Sequence, residues 1–170
     1  VSEQLHIEVK ATVLQHVRFK YACRHCERTA LHTPIVIAPM PAQPLPGSIA
    51  TSSTLALVLA SKYVDGTPLY RLEQALARAN VSISRGALGN WVIRSVDLHL
   101  LRLYEALKQK LRSQPLVHGD ETWVQVLKED GRDAQAKSFM WAYRSGRDSE
   151  QPIVVFDYQP GRGQEHPQAF

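Results

Sequence analysis

An acidic pair interrupts a segment that otherwise has the composition of a buried β-strand. Asp120 and Glu121 lie between Pro115-Leu116-Val117 and the mostly apolar run 123–127. A carboxylate is costly to bury in a strand unless something pairs with it, and hard divalent cations such as Mg²⁺ prefer oxygen ligands of this kind. The simpler interpretation is strand alternation, in which one of the two side chains faces water. On this segment alone the simpler interpretation is preferable.

Two further strand patterns follow the acidic segment. A polar run with the pair Asp130-Gly131, which is typical of a hairpin connection, separates it from an alternating pattern over residues 137–144. A nearly continuous apolar run over 152–158 is typical of a strand that is buried on both faces. The sequence therefore predicts three consecutive antiparallel strands within residues 114–170, with the acidic pair in the first strand.

The chain before the acidic segment changes character twice. Residues 1–33 alternate in a strand-like way, and residues 34–47 contain five prolines. Proline excludes a helix interior and resists a sheet ladder, so this second section is expected to be an extended linker. From residue 48 to 113 the apolar period becomes helical. The apolar positions of the first section are Leu5, Ile7, Val9, Val13, Val17, Phe19 and Tyr21.

The section 48–113 has start and stop signals for three helices. The polar run 51–53 can cap the first helix, and Pro68 suits the first turn of the second. Ser84 can cap the third helix, whose pattern can continue through Leu111 as one long amphipathic helix. Pro115 ends that pattern before the acidic strand.

The rhythm of helix, short turn and helix over residues 69–96 is typical of a helix-turn-helix unit. In that motif the N-terminal residues of the second helix enter the major groove of DNA. Arg85 and Asn90 are chemically suited to base edges, which makes them the candidate specificity residues. The alternative is a plain helical hairpin with solvated arginines. The candidates for phosphate contacts are Arg71, Arg78 and Arg94.

The two cysteines form a single C-x-x-C pair, Cys23 and Cys26, which is more typical of metal or redox chemistry than of a disulfide framework. Structural zinc is nearly always four-coordinate, so the pair is half of a Zn²⁺ site, which His25 or His32 could complete. A redox pair normally follows a strand and opens a helix, and Pro34 with the linker argues against that arrangement. We rank a zinc half-site first, an inert pair second and a redox site third.

Composition restricts the function only loosely. The net charge of +4 and the pI near 9.2 permit a polyanionic partner without requiring one. No apolar stretch approaches the roughly 20 residues that span a bilayer, and no secretory signal is visible. The expectation is a cytoplasmic protein with no membrane partner.

The chain resembles the transposases of the insertion-sequence-66 (IS66) family along most of its length. Trp123 departs from the family pattern, because a smaller residue or proline is expected there. The segments that resemble the start of the catalytic domain are 118–122 (His-Gly-Asp-Glu-Thr), 141–143 (Trp-Ala-Tyr), 155–158 (Val-Phe-Asp-Tyr) and 161–163 (Gly-Arg-Gly). The segments that resemble the zinc-finger element and the helical part are 20–27, 61–71 and 88–92.

The resemblance implies a DDE-type enzyme with an RNase H-like core, whose first metal-binding Asp lies on the first strand. Asp120 would be that ligand for two Mg²⁺ or Mn²⁺ ions. Glu121 would point to the opposite face, and Thr122 would return to the Asp120 side as an orienting donor. Asp157 could approach Asp120 across the sheet but is expected at an edge or on the surface. His118 is expected to be structural.

The remaining two carboxylates of such an enzyme would fall beyond Phe170, and the chain has no starting Met, so we expect a fragment that is inactive alone. The expected fold is α+β. Its parts are a partial zinc-ribbon-like element (1–33), a proline-rich linker (34–47), a helix-turn-helix-like segment (48–113) and the first three strands of the RNase H-like core (114–170).

The expected function is part of a DNA transposase that cuts and joins transposon ends by metal-dependent phosphoryl transfer. Its partners would be transposon ends and target DNA, and the full-length protein would form a homo-oligomer. The alternative is a non-catalytic DNA-binding or assembly module built from a zinc ribbon and a helical hairpin.

Overall fold

The structure, a computed structural model, describes residues 3–6 and 10–170, and the chain divides into two units, Val1–Leu98 and His99–Phe170. Helices and antiparallel strands make it an α+β protein, as predicted. The first unit contains β1 (Lys20–Ala22), α1 (Arg24–Thr29), β2 (Ile35–Ile37), α2 (Ser52–Tyr63), α3 (Leu69–Arg78) and α4 (Arg85–Ser95). A π-helical segment (Val96–Leu100) precedes α5 (Leu101–Arg112), β3 (Val117–Gln125), β4 (Lys137–Ser145), β5 (Val154–Gln159) and α6 (Glu165–Ala169).

The N-terminal residues contain much less strand than their alternating pattern predicts. Residues 10–19 have no regular structure, and of the described residues before α1 only the three of β1 pair, antiparallel to β2 with Tyr21 opposite Val36. The strand prediction for 10–19 is therefore wrong: Val13, for example, is exposed, so the alternation covers no core. Ile7 and Val9, which belong to the same predicted pattern, lie outside the described residues.

The proline-rich segment is not purely a linker. Strand β2 lies between Pro34 and Pro39, where three consecutive residues keep the N–H groups that a ladder requires. Leu45 is fully buried in the core of the first unit. Proline therefore limits the ladder to three residues rather than preventing it.

The three predicted helices of the first unit are confirmed, together with two of their caps. The Thr51 hydroxyl accepts a hydrogen bond from the Thr54 N–H at 3.3 Å, and the Ser84 hydroxyl accepts one from the Ala87 N–H at 3.2 Å. Asn80, with φ of 59°, takes the left-handed conformation between α3 and α4. The buried core of this unit is formed by Leu45, Ala50, Leu55, Val58, Leu72, Leu88, Trp91 and Val92.

The long helix predicted through Leu111 is interrupted. The π-helical segment Val96–Leu100 separates α4 from α5. A π turn holds more residues than an α turn. Apolar periodicity alone cannot reveal such a turn, because leucines continue on both sides of it.

The three predicted antiparallel strands of the second unit are confirmed, in the order β3-β4-β5 with β4 in the centre. One face of the sheet packs against α5 through Leu111 and Tyr104. This face carries the buried side chains of Trp141, Tyr143 and Val155.

Gly119 is required by the packing of Tyr143, the residue opposite it in the sheet. A Cβ at Gly119 would lie 3.1 Å from Tyr143 Cε1, closer than nine in ten Cβ contacts. The Tyr143 ring is only 2% exposed and stacks on Phe170 at 3.7 Å between ring centroids, so it has little room to move. Burial also raises the pKa of Tyr143.

Tyr104 attaches α5 to the edge strand β5. Its hydroxyl donates to the Phe156 carbonyl at 3.1 Å and lies 3.4 Å from Asp157 Oδ1. Burial, and then the Asp157 charge, raise the pKa of Tyr104 to about 12. The neutral phenol is therefore the form that the fold stabilises.

This attachment predicts a pH dependence of stability. Tyr104 has a folded pKa above its ordinary value of 10, so its contribution is complete below pH 10 and is lost as pH rises through about 12. We expect the free energy of unfolding, measured with urea, to fall over this window. Tyr104→Phe should show a smaller fall, which separates Tyr104 from the other tyrosines. Identical pH profiles for the two proteins would contradict the assignment.

Candidate functional site

Asp120 lies in the middle of β3 on the sheet face opposite α5. Its cross-strand neighbour is Ala142, which in turn pairs with Phe156 on β5. Directly opposed residues share a face of the sheet, and Phe156 is 60% exposed. Asp120 is also exposed, and its Oδ1 accepts a hydrogen bond from the Glu121 N–H at 3.0 Å. The carboxylate is therefore accessible on an open surface.

Charge compensation sets Asp120 apart from its acidic neighbours. Among the described residues, no Lys, Arg or His lies within ion-pair distance of Asp120, whereas Glu121 pairs with Arg162 and Asp157 with Lys108. An exposed anion without a protein counter-ion can accept a cation from solution. One carboxylate is a fitting first ligand for Mg²⁺ but is too few to hold the ion alone.

Glu121 faces the opposite way, as strand alternation predicts. It is half-buried beside Trp141, its register partner, and its Oε1 lies 2.9 Å from Arg162 Nη2. The acidic pair is therefore divided between the two faces of the sheet. Sequence reasoning missed the ion pair, because no local pattern links residues so far apart in the chain.

Asp157 does not approach Asp120 and does not lie free on a surface. It shares the Glu121 face through its register partner Trp141 and is half-buried. Its carboxylate accepts from Gln159 Nε2 at 2.8 Å and lies 4.0 Å from Lys108 Nζ. The prediction of an edge or surface position was incomplete: β5 is an edge strand, but α5 covers this face. The sequence carried a signal for this cover, because Tyr104, Lys108 and Leu111 are spaced four and three residues apart and therefore lie on one face of α5.

The nearest neighbours of Asp120 on its own strand and face are His118 and Thr122. His118 and Thr122 lie two positions before and after Asp120 on β3, and both are exposed. The hydrogen bond that holds the Asp120 carboxylate comes from the Glu121 backbone rather than from Thr122. In the described part of the chain, no group of three or more His, Cys, Asp or Glu side chains is gathered as a metal cluster would be.

The cysteine pair lies between the two short strands. Cys23 follows β1 and precedes α1, Cys26 lies in α1, and both are free thiols. Hydrogen bonds from Cys26, through its backbone and thiol, and from the His25 backbone lower the pKa of Cys23. Contrary to expectation, the order of strand, cysteine pair and helix typical of a redox site is present, because Pro34 lies beyond α1.

The candidate DNA-contacting residues lie on α3 and α4, which the turn 79–84 joins. Arg85 is at the first position of α4, and Asn90 lies five residues on, about 140° around the helix. Both are exposed, and the carboxylate of Glu73 accepts from the Arg85 N–H at 2.9 Å. Leu88 and Trp91 fill the opposite, buried side of α4.

The arginines suggested for phosphates differ in availability. Arg71 and Arg78 on α3 are exposed, although Arg71 Nε also donates to the Tyr70 hydroxyl at 2.9 Å. Arg94 Nη2 donates a hydrogen bond to the Pro46 carbonyl at 2.8 Å, so its guanidinium is partly engaged within the protein. Arg94 is therefore a weaker phosphate candidate than the sequence indicated.

None of the described helices combines the length and the apolar character that crossing a membrane requires.

A protein family and two curated relatives match this chain. The family model described as "Transposase IS66 family" matches residues 47–170. The uncharacterized protein y4jD of Sinorhizobium fredii is 37% identical over 130 residues, which cover 76% of this chain and 24% of that protein. The uncharacterized protein y4qI of the same organism is 31% identical over 109 residues, which cover 64% and 20%. No solved structure shows a significant match.

The family match covers most of the chain, including the helices from α2 onward and the Asp120 sheet. The chain therefore belongs to the IS66 family of transposases. The matched region spans about a quarter or less of the length of the curated relatives.

Proposed function

We propose that residues 114–170 open an RNase H-like catalytic domain of a DDE transposase, with Asp120 as its first metal ligand. The proposal rests on the Asp120 carboxylate, which lies at the centre of the first of three antiparallel strands and is exposed. Among the described residues it has no basic ion-pair partner. The cross-strand neighbour of Asp120 is Ala142, whose side chain is a single methyl group. The match to the IS66 family over residues 47–170 supports the proposal.

Mg²⁺ or Mn²⁺, when bound, would activate the attacking oxygen and stabilise the leaving oxygen in cleavage of transposon ends and their joining to target DNA. Asp120 contributes one ligand, and the Glu121 N–H limits rotation of its carboxylate. The other two carboxylates would come from the remainder of the full-length protein. A chain of residues 1–170 should consequently not cleave DNA.

The outer edge of β3 supports the same proposal. In the described part of the chain, β3 pairs only with β4, so one edge of a nine-residue strand keeps its backbone groups unpaired. Proteins normally cover such an edge. A further strand of the catalytic domain, added beside β3, would cover it and could bring a second carboxylate near Asp120.

A second candidate function is DNA binding or assembly without catalysis, with a cytoplasmic location common to both. The exposed Arg71, Arg78, Arg85 and Asn90 on a helix-turn-helix-like hairpin favour it, since this unit has its own core. Within the full-length protein the two functions are compatible. The homo-oligomer belongs to the proposal as well, because a transposase must bring two transposon ends together.

The proposed metal role predicts the effect of one substitution. In the full-length protein Asp120→Asn should reduce end cleavage by more than about 100-fold, which exceeds the loss expected from an outer-shell change. The amide keeps an oxygen for the Glu121 N–H, so folding and end binding should persist. Asp148→Asn, the same change at an exposed turn residue, is the control in a Mg²⁺-dependent nicking assay. Normal cleavage by Asp120→Asn would refute the assignment.

The proposed DNA surface predicts two classes of variant. Arg71→Ala and Arg78→Ala should weaken all sequences alike and reduce the salt slope by about 0.9 each. Arg85→Ala and Asn90→Ala should instead remove about 1–3 kcal/mol of preference for the element's ends. Gel-shift titrations over a salt series distinguish the two.

Arg94→Ala is the matched control, because it removes the same charge from a guanidinium that the Pro46 carbonyl already engages. Arg94→Ala should lower the melting temperature, because it removes the contact with Pro46, and should change the salt slope little. If all five variants bind as the parent does, these helices only pack, and DNA is bound elsewhere in the protein.

The cysteine pair is proposed as a zinc half-site completed outside residues 1–170. Its place between paired strands β1 and β2 and the lowered pKa of Cys23, which favours thiolate, support this role. By elemental analysis, the 170-residue chain should lose zinc readily to a chelator, and the full-length protein should retain it unless Cys23→Ser is present. Chelator-resistant, stoichiometric zinc in the short chain would instead mean that His25 or His32 completes the site.

A further inference from the structure

The loop after β5, residues 160–163, is fixed to the sheet at three successive positions. Arg132 Nη1 donates to the Pro160 carbonyl at 2.8 Å, and Trp141 Nε1 donates to the Gly161 carbonyl at 3.3 Å. The third contact is the ion pair of Arg162 with Glu121. These partners come from the β3–β4 connection, from β4 and from β3. An irregular loop thereby acquires a defined position on the α5-covered face.

Glu121 is restrained from both faces of the sheet. Its carboxylate pairs with Arg162 on one face, while its backbone N–H donates to Asp120 Oδ1 at 3.0 Å. Trp141, its direct register partner, holds Gly161, the residue before Arg162. A displacement of Glu121 would therefore move the donor that orients the Asp120 carboxylate.

Stability alone does not explain the pair. The Arg162 side chain is 71% exposed and that of Glu121 is 22% exposed. Ion pairs with so exposed a partner contribute little to the free energy of unfolding. What the pair does supply is geometry, because it sets the position of one strand residue against an anchored loop.

We propose that Glu121 and Arg162 are positioning residues that hold the Asp120 carboxylate in its metal-binding orientation. The proposal rests on the role of Asp120 proposed above. Glu121, the second acidic residue of the pair, then contacts neither the metal nor DNA. The proposal also gives the segment Gly161-Arg162-Gly163 a function in the site, although it lies on the opposite face of the sheet from Asp120.

The test measures the cleavage rate of the full-length protein against Mg²⁺ concentration. Glu121→Gln and Arg162→Ala should each raise the Mg²⁺ concentration at half-maximal rate by about 10-fold, the lower end of the effect of outer-shell changes. End-DNA affinity and melting temperature should stay unchanged. Arg162→Lys should recover part of the loss. The double variant should be no worse than either single variant, because both remove one interaction. Arg147→Ala, at an exposed turn position, is the control.

Each other outcome overturns the proposal in a distinct way. A loss of end-DNA affinity in Arg162→Ala, with a reduced salt slope and a normal Mg²⁺ requirement, would identify a phosphate contact. A total loss in Glu121→Gln beside normal Arg162→Ala would make Glu121 a metal ligand. Additive effects in the double variant, or a normal Mg²⁺ requirement in both single variants, would show that Glu121 and Arg162 do not act on Asp120 through their ion pair. Failure of the underlying assignment is recognised separately, by normal cleavage in Asp120→Asn.

Discussion

The register of β3 against β4 is the constraint on which the candidate chemistry depends. Side chains alternate strictly along a strand, so a slip of one residue would carry Asp120 to the α5-covered face and Glu121 to the open one. Trp141 and Tyr143 oppose that slip, because both are buried on the covered face and have partners there. Gly119 belongs to the same constraint, since it leaves space for the Tyr143 ring beside the candidate ligand.

The two faces of this sheet treat negative charge differently. On the covered face, burial makes a free carboxylate costly, and Glu121 and Asp157 each have a basic partner, Arg162 and Lys108. On the open face Asp120 is exposed to water, so its charge needs no protein counter-ion to be stable. The cost of desolvation therefore requires a basic partner for each carboxylate on the covered face. On the open face that cost is absent, so a carboxylate can remain without a partner. This contrast makes Asp120, rather than its acidic neighbours, the residue suited to a dissociable cation.

Local rules predicted the elements whose causes are local. Thr51 and Ser84 cap helices because a short polar side chain satisfies free N–H groups, and the order of three strands follows from turn residues and apolar runs. The alternation that separates Asp120 from Glu121 was predictable for the same reason. The alternating residues 10–19 failed this logic, because a strand also needs a partner to pair with and a core to cover.

Two of the contacts that escaped prediction join residues distant in the chain. The Glu121–Arg162 pair joins the middle of β3 to a loop that follows β5, and Arg94 reaches back to the Pro46 carbonyl. No spacing rule reports such contacts. In the sequence, Glu121, Arg162 and Arg94 are charged residues in ordinary positions, and a solvated surface location is the commoner explanation for such residues.

The separate cores of the two units bear on how the family's activities can be divided. The core around Leu88 and Trp91 lies within the helical unit, and the core around Leu111 and Tyr143 lies within the unit that holds the sheet. Burial within each unit supplies the apolar contacts that its own elements need. A surface on α3 and α4 can therefore keep its shape whether or not the carboxylate set around Asp120 is complete. Under the proposed function, binding of transposon ends and cleavage of those ends are therefore separable, and a chain of residues 1–170 would carry the first while supplying one metal ligand, Asp120, toward the second.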